Sequence, residues 1–123
     1  MKKPTSKDTI NLRTTGHDGN NTYDGIVGVY EYPLVIHRLP SDFEEIQDGH
    51  RKRYSSKWTI THIPTGKAFG VTSRFWEDIV QYVEGIKDEP ALLMVTDNTM
   101  INHPDYQQLV KRHTELRRNV RTY

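Results

Sequence analysis

The sequence predicts an α+β domain, a small antiparallel sheet of three to five strands with a central amphipathic helix and a C-terminal helix packed on it. Three observations carry that prediction. In Trp58-Thr59-Ile60-Thr61-His62-Ile63 the bulky side chains Trp58, Ile60 and His62 alternate with the hydroxyls Thr59 and Thr61, which is the two-residue period of a half-buried strand. Pro64-Thr65-Gly66 then has turn chemistry, because proline presets φ and Gly66 accepts the positive φ that closes a short hairpin. After the returning strand Lys67 to Val71, Phe75, Ile79, Tyr82, Val83 and Ile86 recur at three- and four-residue spacing, with Trp76 and Val80 widening the stripe.

Along the chain, residues 1–24 have the composition of a flexible N-terminal arm, with Ile10 and Leu12 the only branched aliphatics. The α+β domain is expected to be single and to occupy residues 25–123. Gly25 to Leu39 is β-rich. Pro33 interrupts its ladder, since proline has no amide to donate, so an edge strand or two short strands are expected. Gly25-Ile26-Val27-Gly28 lacks the residues of a phosphate loop, and its glycines point to a bulge or a close strand approach. Ser41-Asp42-Phe43-Glu44 has capping-box spacing for a short helical turn, and Asp48-Gly49 marks the next turn.

The central helix is predicted over Ser73 to Glu84. Thr72 or Ser73 would be its N-cap, Glu77 and Asp78 would sit in its first turn where the macrodipole favours acids, and Gly85 would stop it. Ala91 to Val95 is a short apolar run read as a strand, ended by Asp97-Asn98. Pro104 then opens a helix whose stripe is Tyr106, Leu109, Val110, His113 and Leu116, with Lys111, Arg112 and Arg118 on the opposite face.

Composition bounds the function. A chain of 123 residues can bury one core, yet its mean hydropathy of −0.78 is low, which points to polar ends or to a surface completed by a partner. No apolar run approaches the roughly 20 residues of a membrane span, and no secretory h-region opens the sequence. With no cysteine there is no disulfide and no thiol chemistry, so a cytoplasmic, intracellular protein without a membrane partner is expected.

The six histidines and sixteen acids invite a metal or acid–base reading, but their spacings match none. His62 and His113 lie on core faces and read as structural. His103 with Asp105 and Asp97 is the one local cluster that resembles a hydrolytic site, and it lacks an HExxH or an EF-hand loop. His62-Ile63-Pro64-Thr65 fails the H-x-T/S test of 2H phosphodiesterases, threonine being one position late. No Gly-x-Ser-x-Gly nucleophile elbow occurs. Neither a cofactor nor a metal is expected.

The net charge of +1 hides an uneven distribution. Asp42, Glu44, Glu45 and Asp48 come without a base, and Arg51, Lys52, Arg53 and Lys57 follow without an acid. Beyond Tyr106, five bases stand against Glu115 alone. The candidate partner-binding residues are therefore Arg51, Lys52, Arg53, Tyr54 and Lys57 in a basic loop, and Lys111, Arg112 and Arg118 on the last helix. In composition alone the chain resembles small accessory reading frames of phages and other mobile elements. The first expectation is a non-enzymatic protein that binds a macromolecular machine and modulates or inhibits it through charged surfaces. Direct nucleic-acid binding, with Tyr54 stacking beside cations, is the alternative. A small metal-dependent hydrolase is the third reading, and self-association stays open.

Overall fold

A computed structural model describes residues 1–16, 19–40, 54–94 and 97–123. Five strands, β1 (Thr9–Gly16), β2 (Gly19–Glu31), β3 (Leu34–Pro40), β4 (Tyr54–His62) and β5 (Lys67–Ser73), pair in that spatial order, each antiparallel to the next. Three α-helices follow: α1 (Trp76–Ile86), α2 (Asp97–Ile101) and α3 (Tyr106–Arg117). A 3-10 turn at Pro90–Leu93 lies between α1 and α2. The protein is thus an α+β domain with a five-stranded antiparallel sheet. The predicted hairpin is β4–β5, its chain reversed at 63–66 with Gly66 at φ +71°. Pro33 sits in the turn that divides the β-rich stretch into β2 and β3.

The residues expected to form a flexible arm are ordered differently. Thr9 to Gly16 are the strand β1, paired with β2 from Thr9 opposite Val27 to Gly16 opposite Gly19. The two sparse aliphatics suffice to place it. Leu12 is buried with Ile26 and Val35, and Ile10, Tyr23 and Ile63 pack around them. At 13 residues β2 is long enough to serve two partners, β1 along its first part and β3 from Gly28 to Glu31. Gly25, at φ +70°, lies where the β1 register shifts. Gly28 allows the close approach to β3, where a Cβ would stand 2.6 Å from the Ile36 carbonyl oxygen.

The sheet curls until its first strand reaches its last turn. The Thr15 amide donates to the Gly66 carbonyl at 2.7 Å, and its hydroxyl donates to the Thr65 carbonyl at 3.0 Å. Both faces are therefore covered. Leu34, Ile36, Trp58, Ile60 and Val71 meet Ile79, Tyr82, Val83 and Ile86 of α1 in the main core, while the other face of β3 and β4 lies under the β1–β2 ribbon. This is why Thr59 and Thr61, predicted on a solvated face, are buried. Their hydroxyls are satisfied there: Thr59 donates to the Val71 carbonyl, and Thr61 bonds Nε2 of His37 at 2.8 Å.

Around α1 the local signals acted one step away from where the spacing placed them. The helix begins at Trp76 with Phe75 as N-cap and no side-chain cap bond. Ser73 instead accepts the Phe75 amide at 3.1 Å and donates to the Arg121 carbonyl, fixing the turn before the helix and docking the C-terminal tail. Gly85 lies inside the helix, which runs on to Ile86 and is capped by Lys87. Ala91 to Leu93 belong to the 3-10 turn rather than a strand, because the chain must descend to bury Ala91 and Leu92 against α1 and α3. Val95 lies outside the described residues, and Asp97-Asn98 open α2 instead of ending an element. The capping box Ser41 to Glu44 and the Asp48-Gly49 turn also lie outside the described residues.

Candidate cationic cleft along the last helix

The C-terminal helix is placed by two kinds of contact. Leu109 is buried in the main core and Leu116 packs on Gly85 of α1. Tyr82 and His113 share a hydrogen bond, and Phe69 of β5 stands edge-on to the His113 ring at 6.0 Å. Burial holds the Tyr82 phenol protonated, raising its pKa above the ordinary value, so its O–H donates and Nδ1 of His113 accepts. Burial first, and the neighbouring Arg117 charge second, push the His113 pKa down. A neutral imidazole that accepts at Nδ1 carries its proton on Nε2.

Along α3 three depressions adjoin, the first and the third reaching β5. The first, of ≈ 200 Å³, lies among Phe69, Met100, Tyr106, Leu109, Val110 and His113. The second lies among His113, Thr114, Arg117 and Arg118, and the third is lined by Lys57, Gly70, Val71, Thr72, Arg117, Val120 and Thr122. His113 lines the first two and Arg117 the last two, so the three adjoin as a broken trough along α3. Successive strand residues point to opposite faces, so a hollow bordered by Gly70, Val71 and Thr72 together runs along the edge of β5. That strand is last in the sheet order. One end of the trough is apolar and the other cationic, and no carboxylate is among the described residues that line it.

The predicted binding residues divide accordingly. Lys57 and the basic end of α3 meet at one cleft, although 60 positions separate Lys57 from Arg117 in the sequence. Arg118 lines the adjoining depression, and Lys111, exposed two turns earlier, shares its line on the helix. Arg112 does not belong with them. Its Nε donates to the Gly85 carbonyl at 3.1 Å, so it faces α1, and it pairs loosely with Glu115 at 3.9 Å. Arg51, Lys52 and Arg53 lie outside the described residues, and of Tyr54 only its place as the first residue of β4, opposite Pro40, is described. Arg117 is the residue the sequence reading missed. It follows His113 by four positions and so continues the stripe, which as predicted stops at Leu116.

The other base near the C-terminus is committed to structure. Arg121 Nε donates to Asp78 Oδ2 at 2.8 Å and Nη2 to Oδ1 at 3.1 Å, while the guanidinium lies 3.7 Å over the Phe75 ring. The histidines expected to be structural are bonded as such. His62 is buried, donating from Nε2 to the Leu92 carbonyl at 2.6 Å and accepting the Thr65 hydroxyl at Nδ1. His103 accepts the Asp105 amide at 3.0 Å, which makes the His103–Asp105 pair a helix-entry turn. Among the described residues no group of three or more His, Cys, Asp or Glu side chains converges in a way that could hold a metal ion, and no helix is long and apolar enough to cross a membrane.

The chain matches no protein-family model, no curated protein and no solved structure.

Proposed function

We propose that this is a small binding protein that docks on a larger macromolecular machine through the cationic trough along α3 and modulates or inhibits that machine by covering an anionic surface. The observation that supports the reading is the convergence of Lys57, Arg117 and Arg118, from two distant stretches of chain, on adjoining depressions with no carboxylate among the described residues that line them. Arg117 and Arg118 stand exposed side by side there, so an anionic partner meets two like charges at once. An apolar groove continues from the charges, so the surface offers burial as well as attraction.

The test is charge reversal. Arg117→Glu with Arg118→Glu, checked for an unchanged melt, should lose the proteins that the wild type captures from its own cell, and wild-type capture should weaken only gradually with salt. Unchanged capture by the folded variant would refute the reading. Nucleic acid is the competing partner: a single-stranded oligonucleotide whose affinity falls by orders of magnitude between about 50 and 200 mM salt, and collapses in the variant, would replace the protein by an RNA or DNA strand.

A further inference from the structure

Resting on that reading, we infer that the trough is a docking site for a short extended segment of a protein partner, one that carries an apolar anchor residue and, three or four residues away from it, two or more carboxylates. The two ends of the trough differ in chemistry, and that difference fixes the ligand. At one end Phe69, Leu109, Val110 and Met100 surround an open groove, and Val110 is 39% exposed although it lines an apolar surface. At the other end stand Arg117, Arg118 and Lys57. A side chain of a partner fills the first and carboxylates meet the second.

The apolar groove by itself, at ≈ 200 Å³, falls below the roughly 300–1,000 Å³ of small-molecule sites and suits one side chain. From its middle, near Leu109, to Arg117 is eight helical residues, which is about 12 Å at 1.5 Å per residue. An extended chain covers that distance in three to four residues at about 3.3 Å each. Arginine is suited to the far end because its planar fork grips a carboxylate through two parallel bonds.

A nucleic-acid strand fits the same surface less well. It would need cations tracking its backbone, and none is among the described residues that line the Phe69–Val110 end. Tyr123 is engaged elsewhere, since its ring packs edge-on against Phe75.

The experiment is a selection of random dodecapeptides displayed on phage against the folded full-length protein at near-physiological salt. The enriched sequences should pair an aromatic or branched aliphatic residue with two or more acids three to four positions away. A synthetic consensus peptide, followed by fluorescence anisotropy, should lose about tenfold in affinity with Val110→Asp and at least about tenfold with Arg117→Glu and Arg118→Glu together. Val110→Ser replaces the aspartate if that variant melts below wild type. An acid-rich pool without an anchor, indifferent to either Val110 variant, overturns this inference and leaves the cationic reading standing. A pool indifferent to the arginine reversals, or no enrichment at all, overturns both. Displacement of the peptide by single-stranded oligothymidylate at equal concentration also overturns it, in favour of nucleic acid.

Discussion

Gly85 of α1 and Leu116 of α3 meet so closely that a Cβ on Gly85 would stand 2.8 and 2.9 Å from the two terminal carbons of Leu116. This contact lets α3 approach α1 closely. Two effects compete at the position. Alanine is better than glycine inside a helix by about 0.8–1 kcal/mol, but forcing a methyl into a packed contact costs about 1–3 kcal/mol. Leu116 is half-buried and meets the methyl with the far end of its side chain, so it yields at the low end of that range and the two effects nearly cancel. Gly85→Ala should change the wild type by less than about 0.5 kcal/mol and stabilise the Leu116→Ala protein, where the methyl has room, by about 0.8–1 kcal/mol. Urea melts of the four proteins measure the difference, and equal effects in both backgrounds would show that Leu116 does not limit the approach.

The first strand makes the second prediction. Leu12 is 4% exposed beneath the β1–β2 ribbon, so Leu12→Ala should cost about 2–4 kcal/mol. Deleting residues 1–18 should go further, because it strips a strand from β2 and uncovers Ile26 and Val35. Thermal melts check both. A truncated protein with the wild-type melting temperature would return the segment to the status of a mobile arm.

That strand also shows where the sequence stopped being readable. The Trp58 to His62 alternation and the α1 stripe could be read because each element carries its own apolar pattern, and these residues form the main core. β1 has two aliphatics among threonine, asparagine and arginine, and it is held by a ladder and by a core to which Ile26 and Val35 contribute from other strands. Gly85 likewise offers a local signal for a helix end, and only the packing of α3 shows its use. The trough was legible as a sum of charges but not as a place. Nothing in the order of residues brings Lys57 to Arg117, and nothing separates Arg112 from Arg118.

The third prediction concerns acid. Asp78 accepts the Arg121 amide, Nε and Nη2, and these hydrogen bonds to Arg121 hold its carboxyl below the usual carboxylate range. The unfolded chain has no such partner, so it binds the proton more readily than the folded one. The contribution of Asp78 is therefore complete above the unfolded value of about 3.9 and is lost as pH falls through the lower folded value. Asp78→Asn should be less stable at neutral pH and should fall less steeply below about pH 4. Some steepness should remain, because the Thr5 amide and hydroxyl hold Asp8 low in the same way. Urea midpoints measured across that range give the two slopes. Parallel curves for variant and wild type would remove Asp78 from the acid limb.

Arg112 and Arg118 test the assignment of the trough, since they are alike in sequence and opposed in structure. Arg112 bonds the Gly85 carbonyl across the α1–α3 contact, so Arg112→Met should lower stability by about 1 kcal/mol and leave binding nearly unchanged. Arg118 is exposed beside Arg117 and Thr114. Reversing it to glutamate at a helix C-terminus costs about 0.3–1 kcal/mol through the macrodipole, and the larger effect should fall on association. A charge at the rim of an interface acts mainly on the on-rate, so Arg118→Glu should slow binding of an anionic partner at low salt and approach wild type as salt screens the encounter. Melting curves and association rates at two salt concentrations separate the two arginines. Slower association with Arg112→Met and unchanged association with Arg118→Glu would move the partner to the α1 side of α3 and overturn the assignment of the trough.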